Sequence, residues 1–109
     1  MGRSQQHKGR AGELELCRVL SGFGYDVKPG AAVSFGSTPD AVGLPGIHIE
    51  VKRREQMDIA AALKQAEADA QRFGDGLPVV FTRGNRQHWR VVMALENFID
   101  LYRKKVIKK

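Results

Sequence analysis

A mixed α/β domain is the fold class this sequence predicts, with its elements in the order α-β-β-β-α-β-β-α. Three observations lead there. Apolar residues recur at helical spacing in three segments, short runs between them alternate apolar and polar residues as strands do, and Gly and Pro punctuate the joins. At 109 residues the chain is long enough for one core, so residues 1–109 read as a single domain, and 42% hydrophobic content excludes a wholly disordered chain.

The first helix runs from about Gly9 to Phe23, with Leu16, Cys17, Leu20 and Phe23 on one face and Gly22 and Gly24 as its stop. Tyr25 to Lys28 is a short strand ended by Pro29-Gly30. A Gly/Ser/Thr loop follows, and Asp40 to Gly43 opens a second extended stretch. Leu44-Pro45-Gly46 is a turn into the strand Ile47 to Lys52. Asp58 caps a helix that carries Ile59, Leu63, Ala66, Ala70 and Phe73 on its apolar stripe. Pro78 to Thr82 and His88 to Met93 form a hairpin around Gly84-Asn85-Arg86. A last amphipathic helix, about Glu96 to Lys104, turns Phe98, Ile99 and Tyr102 inward.

The formal charge of +6 is unevenly placed. Arg3, Lys8 and Arg10 make the beginning basic; Arg103, Lys104, Lys105, Lys108 and Lys109 do the same for the end, and the stretch between is mildly acidic. The basic ends, 1–8 and 104–109, suit a polyanion such as nucleic acid; the alternative is a solubilising tail. A single cysteine, Cys17, excludes a disulfide framework or a CxxC zinc site and belongs to the core. With no apolar run of ~18 residues and no signal-peptide core, the expectation is a soluble cytoplasmic protein with no membrane partner.

Polar residues then occupy faces where they are costly. Glu13 lies at the centre of the first helix's stripe, whereas Glu15 points to solvent. Period two in the strand sets Ile47, Ile49 and Val51 on one face and His48, Glu50 and Lys52 on the other, a face covered if Glu13's helix packs there. A three-residue loop of Leu44, Pro45 and Gly46 pairs Asp40 with Glu50, Cβ atoms ~5 Å apart. A two-residue turn centred on Pro45-Gly46 pairs 41 with 50 instead and throws Asp40 to the far face. Opposed carboxylates need a cation between them, and hard oxygen donors without a thiol or histidine cluster favour Mg²⁺, with Mn²⁺ as substitute. Lys52, ~7 Å along the same face, sits beside that ion, where it can neutralise charge on a phosphoryl oxygen. His48 shares the face and is an auxiliary candidate at the site's edge, the alternative being a packed or solvent-edge histidine. Trp89, alternating with Val91 and Met93, reads as core or dimer packing.

Thr38-Pro39-Asp40, a nine-residue spacer and Glu50-Val51-Lys52 together resemble the signature of the PD-(D/E)xK nuclease superfamily. The helix Gly9-Arg10-Ala11-Gly12-Glu13, ahead of a Gly-Tyr strand and a Ser/Gly loop, is similar to archaeal-type and phage Holliday junction resolvases, although Leu14 stands where those often carry arginine. The central block is equally similar to VRR-type nucleases. The resemblance implies a restriction-endonuclease-like core, a central mixed sheet flanked by helices. It implies metal ligation by Asp40, Glu50, the Val51 carbonyl and Glu13, catalysis by Glu13, Asp40, Glu50 and Lys52, a strand contact from either Ser34 or Ser37, and Gln65 near the metal. Lys8, Arg10, Arg53, Arg54, Arg83 and Arg86 are the DNA-binding candidates, with Arg90 extending the phosphate track. The implied function is a Mg²⁺-dependent endonuclease acting on branched or duplex DNA, a junction resolvase working as a homodimer because one small subunit holds one site. The alternatives are a nicking or end-processing nuclease and a non-catalytic DNA-binding protein. A phage origin, with the host cytoplasm as its setting, fits the same resemblance.

Overall fold

The computed structural model describes residues 2–32 and 36–106. Helix α1 spans Gly2–Gly22, strand β1 Lys28–Pro29, a short 3₁₀ turn Gly30–Ala32, β2 Ala41–Val42, β3 Gly46–Arg53, helix α2 Ile59–Phe73, β4 Gly76–Arg83, β5 Arg90–Val92 and helix α3 Leu95–Val106. The strands form one mixed sheet in the order β1-β2-β3-β4-β5. Every pairing is antiparallel except β3 with β4, which run parallel because α2 carries the chain back between them. None of the described helices is long and apolar enough to cross a membrane.

The sheet separates two cores. On one face, Ile49 and Val51 of β3 and Val79 and Phe81 of β4 pack with Leu16 and Cys17 of α1, and Trp89 and Met93 close the margin. On the other, Val80 packs beneath Ala62 and Ala66 of α2. The helix over the His48, Glu50 and Lys52 face is therefore α2. Glu13's helix takes the opposite face, because the all-apolar Ile49/Val51 row matches its Leu16/Cys17 stripe. α1 comes close because Gly12 faces β3, where a Cβ would stand 2.6 Å from that of Arg53. Asp58 caps α2 as its side chain predicts, accepting from the Ala61 amide at 3.0 Å.

Five expectations fail. The N-terminal helix begins at Gly2 rather than near Gly9, and β1 holds only Lys28 and Pro29 of the predicted strand region and its border. Phe23 is exposed rather than inward, because the helix has ended at Gly22 before reaching it. Ile59 is exposed, and α2 buries Ala62, Ala66 and Ala70 instead: small residues let it lie close on the sheet. Phe98 and Tyr102 are exposed and stack on each other, ring centroids 6.1 Å apart, since α3 follows a three-residue edge strand that offers no broad surface to cover.

Candidate metal and phosphate site

The β2–β3 turn resolves the two loop alternatives by using part of each. The Ile47 amide donates to the Leu44 carbonyl at 3.0 Å and Gly46 has φ +85°, so Pro45-Gly46 occupies the centre of a type II turn. The ladder nevertheless pairs Ala41 with Ile49, the register of the longer loop. One extra residue is absorbed on the β2 side, where Gly43 has φ +135° and packs so closely that a Cβ would lie 2.4 Å from the Asp26 carbonyl oxygen. That bulge, with Ala41 opposite Ile49, brings Asp40 to the level of Glu50.

Strand β2 begins at Ala41, so on that side β3 has no strand partner opposite Val51. The Asp40 carboxylate fills the gap: its Oδ2 accepts from the Val51 amide at 2.8 Å. The Val51 carbonyl points to the same edge, because both backbone groups of a strand residue face one neighbour. Glu13 approaches this edge from α1, near enough that the charges of Asp40 and Glu50 bear on it. Burial, reinforced by Asp40's negative charge, pushes Glu13 up to about 7. Burial likewise raises Asp40 above the usual carboxylate range, although the Val51 amide and Lys52 oppose it. Glu50, buried under α2, is raised by burial and by the charges of Asp40 and Asp69, against a lowering bond from His48. Lys52 donates from Nζ to Gln65 Oε1 at 3.1 Å, beside a hollow of about 150 Å³ also lined by Arg54 and Asp58.

Three sequence-derived acids and Lys52 thus lie near one end of β2–β3, with Gln65 bonded to Lys52. The oxygens of Glu13, Asp40 and Glu50 do not close to within 4.8 Å of one another as the donor atoms of His48, Glu50 and Asp69 do. Carboxyls that raise one another's pKa are a setting that a hard divalent ion relieves, and the one thiol nearby, Cys17 on α1, is buried and pushed up by that burial and then by Glu13. Other predicted residues stand elsewhere. Ser34 and the Lys8 side chain lie outside the described residues; Ser37 is an exposed loop residue. Glu15 does not point to solvent. Its carboxylate accepts from Arg53 Nε at 3.1 Å and from Arg83 Nη2 at 2.7 Å, so these two guanidiniums are already paired. The reason is register: Arg53 and Arg83 are opposite one another on β3 and β4, under α1. Arg10, Arg54 and Arg86 are exposed.

The largest omission of sequence reasoning concerns His48. It is fully buried, its ring stacked near Phe73, with Nδ1 2.9 Å from both Asp75 carboxylate oxygens and Nε2 3.0 Å from Glu50 Oε1. Burial alone would lower its pKa, but the bonds to Glu50 and Asp75 outweigh this and raise it. Asp69, one helical turn after Gln65, completes a group with His48 and Glu50 whose ligand atoms lie within 4.8 Å of one another. The i, i+4 spacing of Gln65 and Asp69 was readable; Asp75, in the loop after α2, carries no sequence signal. No protein-family model matches the chain, and no curated protein matches it.

Proposed function

We propose that this chain is a metal-dependent endodeoxyribonuclease of PD-(D/E)xK type, hydrolysing phosphodiester bonds. The observation that carries the reading is the Asp40 carboxylate seated on the Val51 amide, with Glu13 of α1 and Glu50 of β3 near enough to bear on it and Lys52 flanking the same edge. Asp40, Glu50, Glu13 and the Val51 carbonyl are the groups that would hold Mg²⁺ or Mn²⁺, which when bound supplies Lewis-acid polarisation of the phosphate. The residues do the rest. Glu13, beside Asp40, is placed to orient the attacking water. Lys52, steadied by Gln65, places its ammonium where negative charge grows on the phosphoryl oxygens. Arg54, lining the adjacent hollow, is placed to hold a neighbouring phosphate.

Selectivity for branched DNA is the finer part of the proposal, and it requires two sites in one assembly. The exposed Leu95, Phe98 and Tyr102 of α3 supply an apolar face. Glu96 and Asp100 precede Arg103 and Lys104 along that helix, so antiparallel pairing with a second copy sets opposite charges together. The test is incubation of four-way junctions and linear duplex with the protein in Mg²⁺ or Mn²⁺, beside Asp40→Asn. Paired nicks on junctions that vanish in the variant support a resolvase; equal cutting of linear duplex makes the protein a nicking or end-processing nuclease. Cleavage that survives the substitution, or is absent with either ion, overturns the hydrolytic reading and leaves a DNA-binding module.

A further inference from the structure

We propose a second cation position on the α2 side of the sheet, formed by His48 Nε2, Glu50 and Asp69, that takes a first-row divalent ion of the Mn²⁺ type. It rests on the hydrolytic reading for its use, since Glu50 would serve both positions, but its existence is a separate matter of binding. Three observations carry it. The donor atoms of the three residues lie within 4.8 Å of one another. Donors ~2.1 Å from a six-coordinate ion stand ~3.0 Å apart when adjacent and ~4.2 Å when opposite, so one octahedron accommodates that spread. His48 Nε2 and Glu50 Oε1, 3.0 Å apart, already have the adjacent spacing.

The third observation is Asp75. A carboxylate can only accept, and both of its oxygens lie 2.9 Å from His48 Nδ1, so Nδ1 donates to Asp75. Nε2, which donates to Glu50 Oε1 in the metal-free chain, is directed at Glu50 and Asp69 and gives up its proton to an arriving ion. A carboxylate behind a histidine is the arrangement that fixes the tautomer of metal-binding imidazoles. Phe73 stacks against the ring and β3 holds its backbone, so the nitrogen is aimed before any ion arrives. A nitrogen donor among two carboxylates distinguishes this position from the all-oxygen set at Asp40: it favours Mn²⁺ and its transition-metal neighbours over Mg²⁺. Asp69 also faces Arg72 at 3.5 Å, a surface pair that an ion at Nε2 would displace at little cost.

The experiment is calorimetric titration of metal-free protein with Mn²⁺, with Co²⁺ as a spectroscopic probe of nitrogen ligation, for wild type, Asp69→Asn, His48→Gln, Asp75→Ala and Asp40→Asn. Asp69→Asn lies on a partly exposed helix face and tests the site even if the buried His48 variant fails to fold. Wild type is expected to take two Mn²⁺ ions, Asp69→Asn and His48→Gln one. Asp75→Ala should weaken that ion by ~10–100-fold, while Asp40→Asn keeps it together with its Co²⁺ spectrum. Unchanged stoichiometry and affinity in Asp69→Asn overturns the proposal, even where DNA cleavage is robust. A His48- and Asp69-dependent ion in a protein that cuts no DNA upholds it and sinks the hydrolytic reading alone.

Discussion

At the residue scale, Glu13 is the acid whose surroundings speak most directly. Its pKa lies at about 7 against an ordinary 4.5, mainly through burial and then through Asp40. Across that window the folded chain holds a proton that the unfolded chain releases. The contribution is therefore complete below pH 4.5 and lost as pH rises through about 7. In chelator, the melting temperature should fall as pH rises across this interval, and Glu13→Gln should flatten the slope; a slope identical in wild type and variant would refute the assignment. Saturating Mg²⁺ should reverse the trend, because the ion prefers the ionised acids. The acids themselves were legible as single residues: parity put Glu50 and Lys52 on one face, and helical angle put Glu13 on a stripe. Asp75 was not, because its partnership with His48 depends on where the loop after α2 returns.

At the scale of elements, the register of β2 on β3 decides whether there is a site. It depends on Gly43, whose φ of +135° and contact with Asp26 exclude a side chain. Gly43→Val should cost about 2–4 kcal/mol in urea denaturation, from left-handed strain and the clash, and should weaken Mn²⁺ binding as Asp40 loses its level with Glu50. Unchanged stability would mean that the bulge lies elsewhere. The sequence allowed both turns because Pro45-Gly46 satisfies either; the choice comes from the packing of Gly43 on Asp26, a tertiary contact. Which helix covers which face of the sheet was left open for a similar reason. Both α1 and α2 carry narrow stripes of small and medium residues, and only the apolar row of Ile49 and Val51 determines which lies where. Glu15 ties α1 to β3 and β4 through Arg53 and Arg83. Glu15→Gln frees two guanidiniums, so DNA affinity should rise and its salt dependence steepen; fluorescence anisotropy across a salt series reads both. Unaltered affinity would take Arg53 and Arg83 out of the DNA path.

At the scale of the molecule, α3 presents an apolar face that no described residue covers. Leu95 is 68% exposed and Phe98 49%, values that a solitary domain gains nothing by keeping. Phe98→Glu should convert a dimer to a monomer in sedimentation equilibrium and turn paired junction cuts into single nicks, with the site itself intact. A wild type that sediments as a monomer at micromolar concentration would remove α3 from this role. The sheet's own rims bear on the same question. One border is a two-residue strand containing a proline, the other only three residues long. Neither offers the row of free amides and carbonyls that templates growth from one molecule to the next. Two copies cannot zip into a continuous ten-stranded ribbon, and fibril seeding from the folded state is suppressed for the same reason.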